Sequence, residues 1–244
     1  MIPVKPHIAE RAYVKSMGEY EAMYRESIEH PEQYWGRQAD LLTWFRPPES
    51  IIDNDMVTAT FSYYKGGKLN ASYNCLDRHL KTWRKNKAAI IWQGEPEGDR
   101  KTYTYQELYY EVCRFANVLK KHGVKKGDRV SIYLPMIPEL AISLLACARI
   151  GAIHSVIFGG FSAEALRDRI QGCNSETVIC CDGYYRSGKV VQSKANADAA
   201  MDASPMVKRA FVVKRVGVDV PMKEGRDHWW QEEVAAPDIA LDCP

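Results

Sequence analysis

Apolar positions follow two rhythms in the second half of the chain. Leu108, Val112, Phe115 and Leu119 recur at helical spacing, whereas 129–134, 154–158, 177–181 and 210–214 are short, mostly apolar runs without alternation. The first pattern predicts an amphipathic helix, and the second predicts strands buried on both faces. Thr104 and Glu107 stand at capping-box spacing and Gly123 follows the last apolar position, so this helix has a start and a stop. Further helices are predicted over 138–150, 162–171 and 196–203. Strands alternating with helices in this way argue for an α/β fold, a mostly parallel sheet with helices on both faces.

Upstream the rhythm is different. The run Ala-Ile-Ile-Trp within 88–93, the turn 94–99 and the return over 101–104 read as a hairpin. A helix is expected over 76–83 and another over 31–42, followed by a Pro47-Pro48 break and a glycine turn at Gly66-Gly67. The expected organisation is therefore a helical, aromatic-rich wrapping segment over 1–85 and an α/β domain over 86–244. At the far end, 227–235 reads as an amphipathic helix that docks one indole of Trp229-Trp230 on the sheet and leaves the other partly exposed.

Composition narrows the class without naming a chemistry. The 244 residues carry 33 basic and 31 acidic side chains, a net charge of +2, which lacks the concentrated basic surplus of a nucleic-acid partner. The cysteines number seven, at 75, 113, 147, 173, 180, 181 and 243, with no C-x-x-C pair. Their odd number and irregular spacing suggest reduced thiols in a cytoplasmic protein. No window approaches the ~18 uninterrupted apolar residues of a membrane span, and the N-terminus lacks a secretory apolar core. Neither a membrane nor a nucleic acid is an expected partner.

In a parallel sheet, ligands bind beyond the carboxyl ends of the strands. Two strand-end loops stand out there. Phe158-Gly159-Gly160-Phe161-Ser162 places a glycine pair ahead of a helix N-terminus, which suits either a tight turn or close approach of a ligand. Gly183-Tyr184-Tyr185-Arg186-Ser187-Gly188-Lys189 has the spacing of the G-x-x-x-x-G-K phosphate loop. The next residue of such a loop is a Ser or Thr whose hydroxyl holds magnesium, and here it is Val190. Arg186, with its planar fork, and Lys189, a mobile point charge, remain able to bind a phosphate that is held rather than transferred.

Other conspicuous residues have plainer readings. Cys180-Cys181 ends an apolar strand and reads as small buried side chains. His154 opens a strand, with no G-x-S-x-G pattern nearby, and reads as packing. Asp77-Arg78-His79 occupies consecutive helical positions that diverge. None carries a catalytic assignment.

Five stretches together resemble the N-terminal part of AMP-forming acetyl-coenzyme A synthetases: Trp44-Phe45, 67–79 (GKLNASYNCLDRH), 102–108 (TYTYQEL), 130–139 (VSIYLPMIPE) and 154–162 (HSVIFGGFS). The resemblance implies an adenylate-forming ligase. A short carboxylate such as acetate or propionate reacts with ATP, accompanied by Mg2+, to an acyl-adenylate, and the thiol of coenzyme A then displaces AMP. It also implies that Arg186, Ser187, Gly188 and Lys189 hold the phosphate end of coenzyme A, near its 3'-phosphate, and that Gly160 lies along the same ligand. Such enzymes run to well over twice this length, and their Ser/Thr/Gly-rich ATP loop has no counterpart in 1–244. The expectation is an N-terminal portion that depends on the remainder of its own chain and is inactive alone. Two alternatives stay open: a stand-alone module that binds coenzyme A or a nucleotide phosphate without chemistry, and a magnesium-dependent phosphate-loop hydrolase.

Overall fold

The computed structural model describes residues 5–243, which divide between Leu69 and Asn70 into two compact units. The first unit holds three helices, α1 (Pro6–Ala9), α2 (Met17–Glu29) and α3 (Pro31–Ala39), and a hairpin of β1 (Ser50–Asp55) and β2 (Thr60–Lys65). Ser16 caps α2 by accepting from the Glu19 amide, while α3 begins on Pro31, whose missing N–H costs nothing at a helix start. The hairpin departs from the expectation of short helical pieces alone. Its residues neither alternate cleanly nor carry an Asn-Gly signal, so period-2 patterning was absent.

The second unit opens on helical turns at Tyr73–Asp77, α4 (Arg78–Leu80) and Trp83–Asn86 rather than the single helix expected over 76–83. Residues 70–85, read above as the end of the wrapping segment, count with this unit. Then come the antiparallel pair β3 (Ala88–Gln93) and β4 (Arg100–Thr104), and α5 (Tyr105–Lys121), whose Thr104–Glu107 capping box is complete. The α/β series continues as β5 (Arg129–Leu134), α6 (Pro138–Ile150), β6 (Ile153–Phe158), α7 (Ala163–Gly172) and β7 (Thr177–Cys181). It ends with a small hairpin of β8 (Tyr184–Arg186) and β9 (Lys189–Val191), then α8 (Ser193–Asp202), β10 (Arg209–Val213), β11 (Asp227–Trp229) and α9 (Trp230–Ala235).

Five of these strands form one parallel sheet in the order β11-β10-β7-β5-β6. The chain steps from β5 outward to β6, then crosses back to β7 on the other side of β5. That reversal creates a switch point between β5 and β7, where a crevice opens at the carboxyl ends.

The sheet is covered on both faces, as expected. Along β7, Ile179 and Cys181 join one buried cluster with Val112, Phe115 and Ala146, while Val178 and Cys180 join another with Leu166, Ile170, Ala197 and Met201. Adjacent residues thus serve opposite cores, and both positions must be apolar. Strand β6 is the exception: it is an edge, with Ile153, Val156 and Phe158 more than half exposed. His154, read above as packing, lies exposed there. At the other edge, 227–235 splits into β11 and α9 instead of forming one helix. Trp230 is buried and stacks on Phe115 at 3.5 Å, while Trp229 is half-buried.

The three-residue strand β11 is held by charge. Lys194 of α8 is fully buried, and its ammonium donates to Asp198 (2.6 Å), Asp227 (2.9 Å) and the Pro221 carbonyl (3.1 Å). Arg226 adds bonds to Asp227 (2.6 Å), Asp198 (2.7 Å) and Asp202 (2.7 Å). Burial opposes ionisation of Asp227, yet hydrogen bonds from Arg226 and Lys194 hold its carboxyl below the usual carboxylate range. Removing one partner of such a set strands the others without compensation. Asp227→Ala is expected to lower stability by about 3–5 kcal/mol, seen in urea unfolding as a lower midpoint at unchanged slope.

Candidate functional site

A cavity of about 340 Å³ opens at the carboxyl ends of β5 and β6, against the β8 strand that follows β7. Its wall comes from three strand ends: Leu134, Pro135 and Met136 after β5, Phe158 to Gly160 after β6, and Tyr184 to Arg186 in β8. The glycine loop and the basic loop follow strands that are successive in sequence but separated in the sheet by β5, so the end of β5 lies between them.

The two glycines divide the roles left open for them. Gly159 is buried, and a Cβ there would meet the Leu134 carbonyl at 3.3 Å, so it serves close packing on β5. Gly160 is exposed and lines the cavity. A Cβ on it would meet the Phe158 ring at 2.7 Å. Tyr184 ties the loops together, its hydroxyl donating to the Gly159 carbonyl at 3.4 Å.

The segment with phosphate-loop spacing is a two-residue β-hairpin, with Arg186 paired to Lys189 across the turn. Ser187 and Gly188 both have positive φ, 52° and 72°, the signature of a type I′ turn. The spacing to Gly183 is therefore coincidental to any nucleotide loop. Val190 is half-way along β9, opposite Tyr185.

Directly paired residues project to one face, which places the two cations side by side at the tip. Like charges so placed destabilise a hairpin. Among the described residues, neither side chain makes a hydrogen bond or ion pair, and both are exposed. Arg186 reaches the cavity wall; Ser187, Gly188 and Lys189 do not line it. The turn amides are occupied: Ser187 donates to the Glu95 carboxylate at 3.0 Å, and Gly188 donates to its other oxygen. An oxyanion already rests on this turn, supplied by the β3–β4 loop.

Three further residues fix the hairpin, and none was singled out from the sequence. The buried Asp182 carboxylate accepts from the amides of Gly183 (2.8 Å), Arg215 (2.8 Å), Val216 (3.1 Å) and Gly217 (2.7 Å). Arg215 then ion-pairs with Asp99 and lies over the rings of Trp92 (5.0 Å) and Tyr185 (5.2 Å). These contacts join segments far apart in sequence, so no spacing rule reveals them. The only local sign was an Asp at the end of an apolar strand.

Apart from His154, the residues given plainer readings lie as follows. Cys180 and Cys181 are fully buried; burial pushes the Cys181 thiol up to about 12 and raises Cys180 as well, so neither is a ready nucleophile. Asp77 makes a two-pronged ion pair with Arg149 at 2.6 and 2.8 Å, while the His79 ring packs against Tyr105. No described helix is long and apolar enough to cross a membrane.

The family model described as AMP-binding enzyme matches residues 76–241, which span the sheet and the cavity loops. The chain belongs to that family. The model of the acetyl-coenzyme A synthetase N-terminus matches residues 20–75, immediately before it. An acetyl-coenzyme A synthetase of Alkalilimnicola ehrlichii is 51% identical over 243 residues, covering 99% of this chain and 37% of its own length. One of Leptospira biflexa is 52% identical over 232 residues, covering 94% of this chain and 36% of its own. The chain thus spans little more than a third of the curated relatives it matches. An acetoacetyl-CoA synthetase from Streptomyces lividans superposes with a TM-score of 0.80 at 24% identity, over 95% of this chain and 35% of that one, which supports the adenylate-forming fold. As a family member, the chain matches the N-terminal portion of acyl-coenzyme A synthetases.

The hairpin's dependence on Asp182 is directly measurable. Asp182→Ala leaves four amides without their acceptor, Gly183 buried, Arg215 and Val216 half-buried and Gly217 exposed, and a donor left unsatisfied away from water costs about 1–3 kcal/mol. The expected result is a loss of at least about 3 kcal/mol together with faster hydrogen exchange at 215–217.

Proposed function

We propose that this chain is the coenzyme A-facing portion of an acid–thiol ligase that makes acetyl- or propionyl-coenzyme A through an acyl-adenylate, and that Arg186 and Lys189 grip a phosphate of coenzyme A. The observation that carries the reading is the pairing of two exposed, like-charged side chains at the tip of a rigid hairpin beside an apolar cavity. The Glu95 carboxylate on the turn amides offsets part of that repulsion, and a phosphate gripped by both side chains relieves the rest. Arg186 supplies a planar fork and Lys189 a point charge, while Ser187 and Gly188 contribute the tight turn. Gly160 leaves the cavity floor bare where the body of the ligand passes. The identity of about half the residues with acetyl-coenzyme A synthetases supports this assignment of substrate.

The phosphate so held does not react. Its role is to anchor coenzyme A by an end remote from the thiol, converting attack on the acyl-adenylate into a positioned, effectively intramolecular step. The ATP site, with its Mg2+, belongs in this reading to parts of the enzyme other than 1–244, since no Ser/Thr/Gly-rich loop occurs in this sequence.

Two measurements test the proposal. Each charge-assisted hydrogen bond is worth about 1.5–3 kcal/mol, so Arg186→Ala and Lys189→Ala are each expected to weaken coenzyme A binding by about 10- to 150-fold in calorimetry. Coenzyme A lacking its 3'-phosphate is expected to bind equally poorly to native and variant chains. Glu95→Gln, which removes the competing carboxylate charge from the turn, should strengthen binding by about two- to fivefold. Indifference to the 3'-phosphate in the native chain would overturn the assignment. In a pyrophosphate-release assay with acetate, ATP and Mg2+, the 244-residue chain is expected to show no turnover, and measurable turnover would sink the view that the ATP site lies elsewhere.

A further inference from the structure

On the opposite side of the sheet order from the cavity, three ligating side chains converge at the β11 edge. His122 follows α5 as its C-cap, His228 is the middle residue of β11, and Glu233 lies in α9. The His122 Nε2 is 3.0 Å from one Glu233 carboxylate oxygen, and the His228 Nδ1 is 3.4 Å from the other. All three ligand atoms lie within 4.8 Å of one another. The imidazole rings are 4.4 Å apart, and the His122 ring is backed edge-on by Phe211 at 5.1 Å.

We propose that His122, His228 and Glu233 form a binding site for a divalent transition-metal ion of the zinc class, with water completing the coordination shell. Zinc bound by nitrogen and oxygen at about 2.0–2.2 Å in a tetrahedron separates neighbouring ligand atoms by roughly 3.2–3.6 Å. The two imidazoles stand at 3.0 and 3.4 Å from different oxygens of Glu233, and one ligand atom from each residue lies within 4.8 Å of the others, so a rotation of the carboxylate brings one oxygen toward both nitrogens around a shared ion. Two imidazoles with one carboxylate suit zinc, cobalt and nickel, whereas magnesium and calcium take shells of oxygen. The side chains are 18%, 26% and 19% exposed, so they are largely held by packing yet reachable by an ion and its waters.

The three ligands come from three elements that pack around Phe115, Phe211 and Trp230. A metal here cross-links a helix end, the shortest strand of the main sheet and the last helix. Its role is structural, distinct from the cavity at the carboxyl ends of β5 and β6.

Cobalt serves as the spectroscopic probe for the native 244-residue chain. The expected result is saturable binding of one equivalent of Co2+ with a visible spectrum, displaced by Zn2+ and unaffected by Mg2+. X-ray absorption of the zinc form should show nitrogen and oxygen donors without sulfur. His228→Gln and Glu233→Gln are each expected to weaken Co2+ binding at least tenfold while keeping the native far-ultraviolet dichroism. If one variant fails to fold, the other decides. Absence of saturable binding, a sulfur shell that places the ion on cysteines, or variants that bind as the native chain does would each overturn the proposal.

Discussion

The site region depends on one buried carboxylate. Asp182, the first residue past β7, gathers the amides of Gly183, Arg215, Val216 and Gly217. It thereby fixes both the exit of β7 and the turn that leaves β10, two neighbouring strands. The β8–β9 hairpin starts two residues later, and Gly183 lets it do so: a Cβ there would meet the Val191 carbonyl at 2.7 Å. Arg215, positioned by the same amide cluster, reaches Asp99 and covers Tyr185. The basic tip is thus a rigid projection, because its base is tied to backbone rather than to flexible side chains.

How much of this was legible in the sequence follows from the range of the forces involved. The capping box at Thr104 and the mostly apolar runs of β5, β7 and β10 are local, and they appear where the pattern puts them. The sheet's coverage on both faces was legible for the same reason: Val178, Ile179, Cys180 and Cys181 of β7 alternate between the two cores. The exposure of β6 was not, since its residue types are those of a buried strand and only the strand order makes it an edge. The first-unit hairpin and the division of 227–235 into strand and helix were hidden by weak or mixed periodicity.

The basic loop illustrates a sharper limit. Its charge was readable from Arg186 and Lys189, but its shape was not, because glycine spacing suits a nucleotide loop and a hairpin equally. Backbone sign decides between them, and a serine at φ 52° followed by a glycine at 72° selects the hairpin. A nucleotide loop aims successive amides inward at phosphates. This turn presents two amides, and both are taken by Glu95, so what remains free for a ligand is side-chain charge.

The cavity's own lining then argues for binding over chemistry. Of the residues around it, Arg186 is the one that carries charge; the rest are aliphatic, aromatic, proline or glycine. General acid–base or nucleophilic catalysis at pH 7 needs a carboxylate, imidazole, thiol or amine whose proton affinity is tuned to the task. The thiols nearest in sequence, Cys180 and Cys181, are buried in the two cores and pushed away from ionisation. An apolar cleft with a cationic rim discriminates by shape along its length and by charge at one end. Such a cleft suits a long ligand whose reactive group lies elsewhere, because a phosphate fixed at the rim limits where the other end can go without taking part in the reaction.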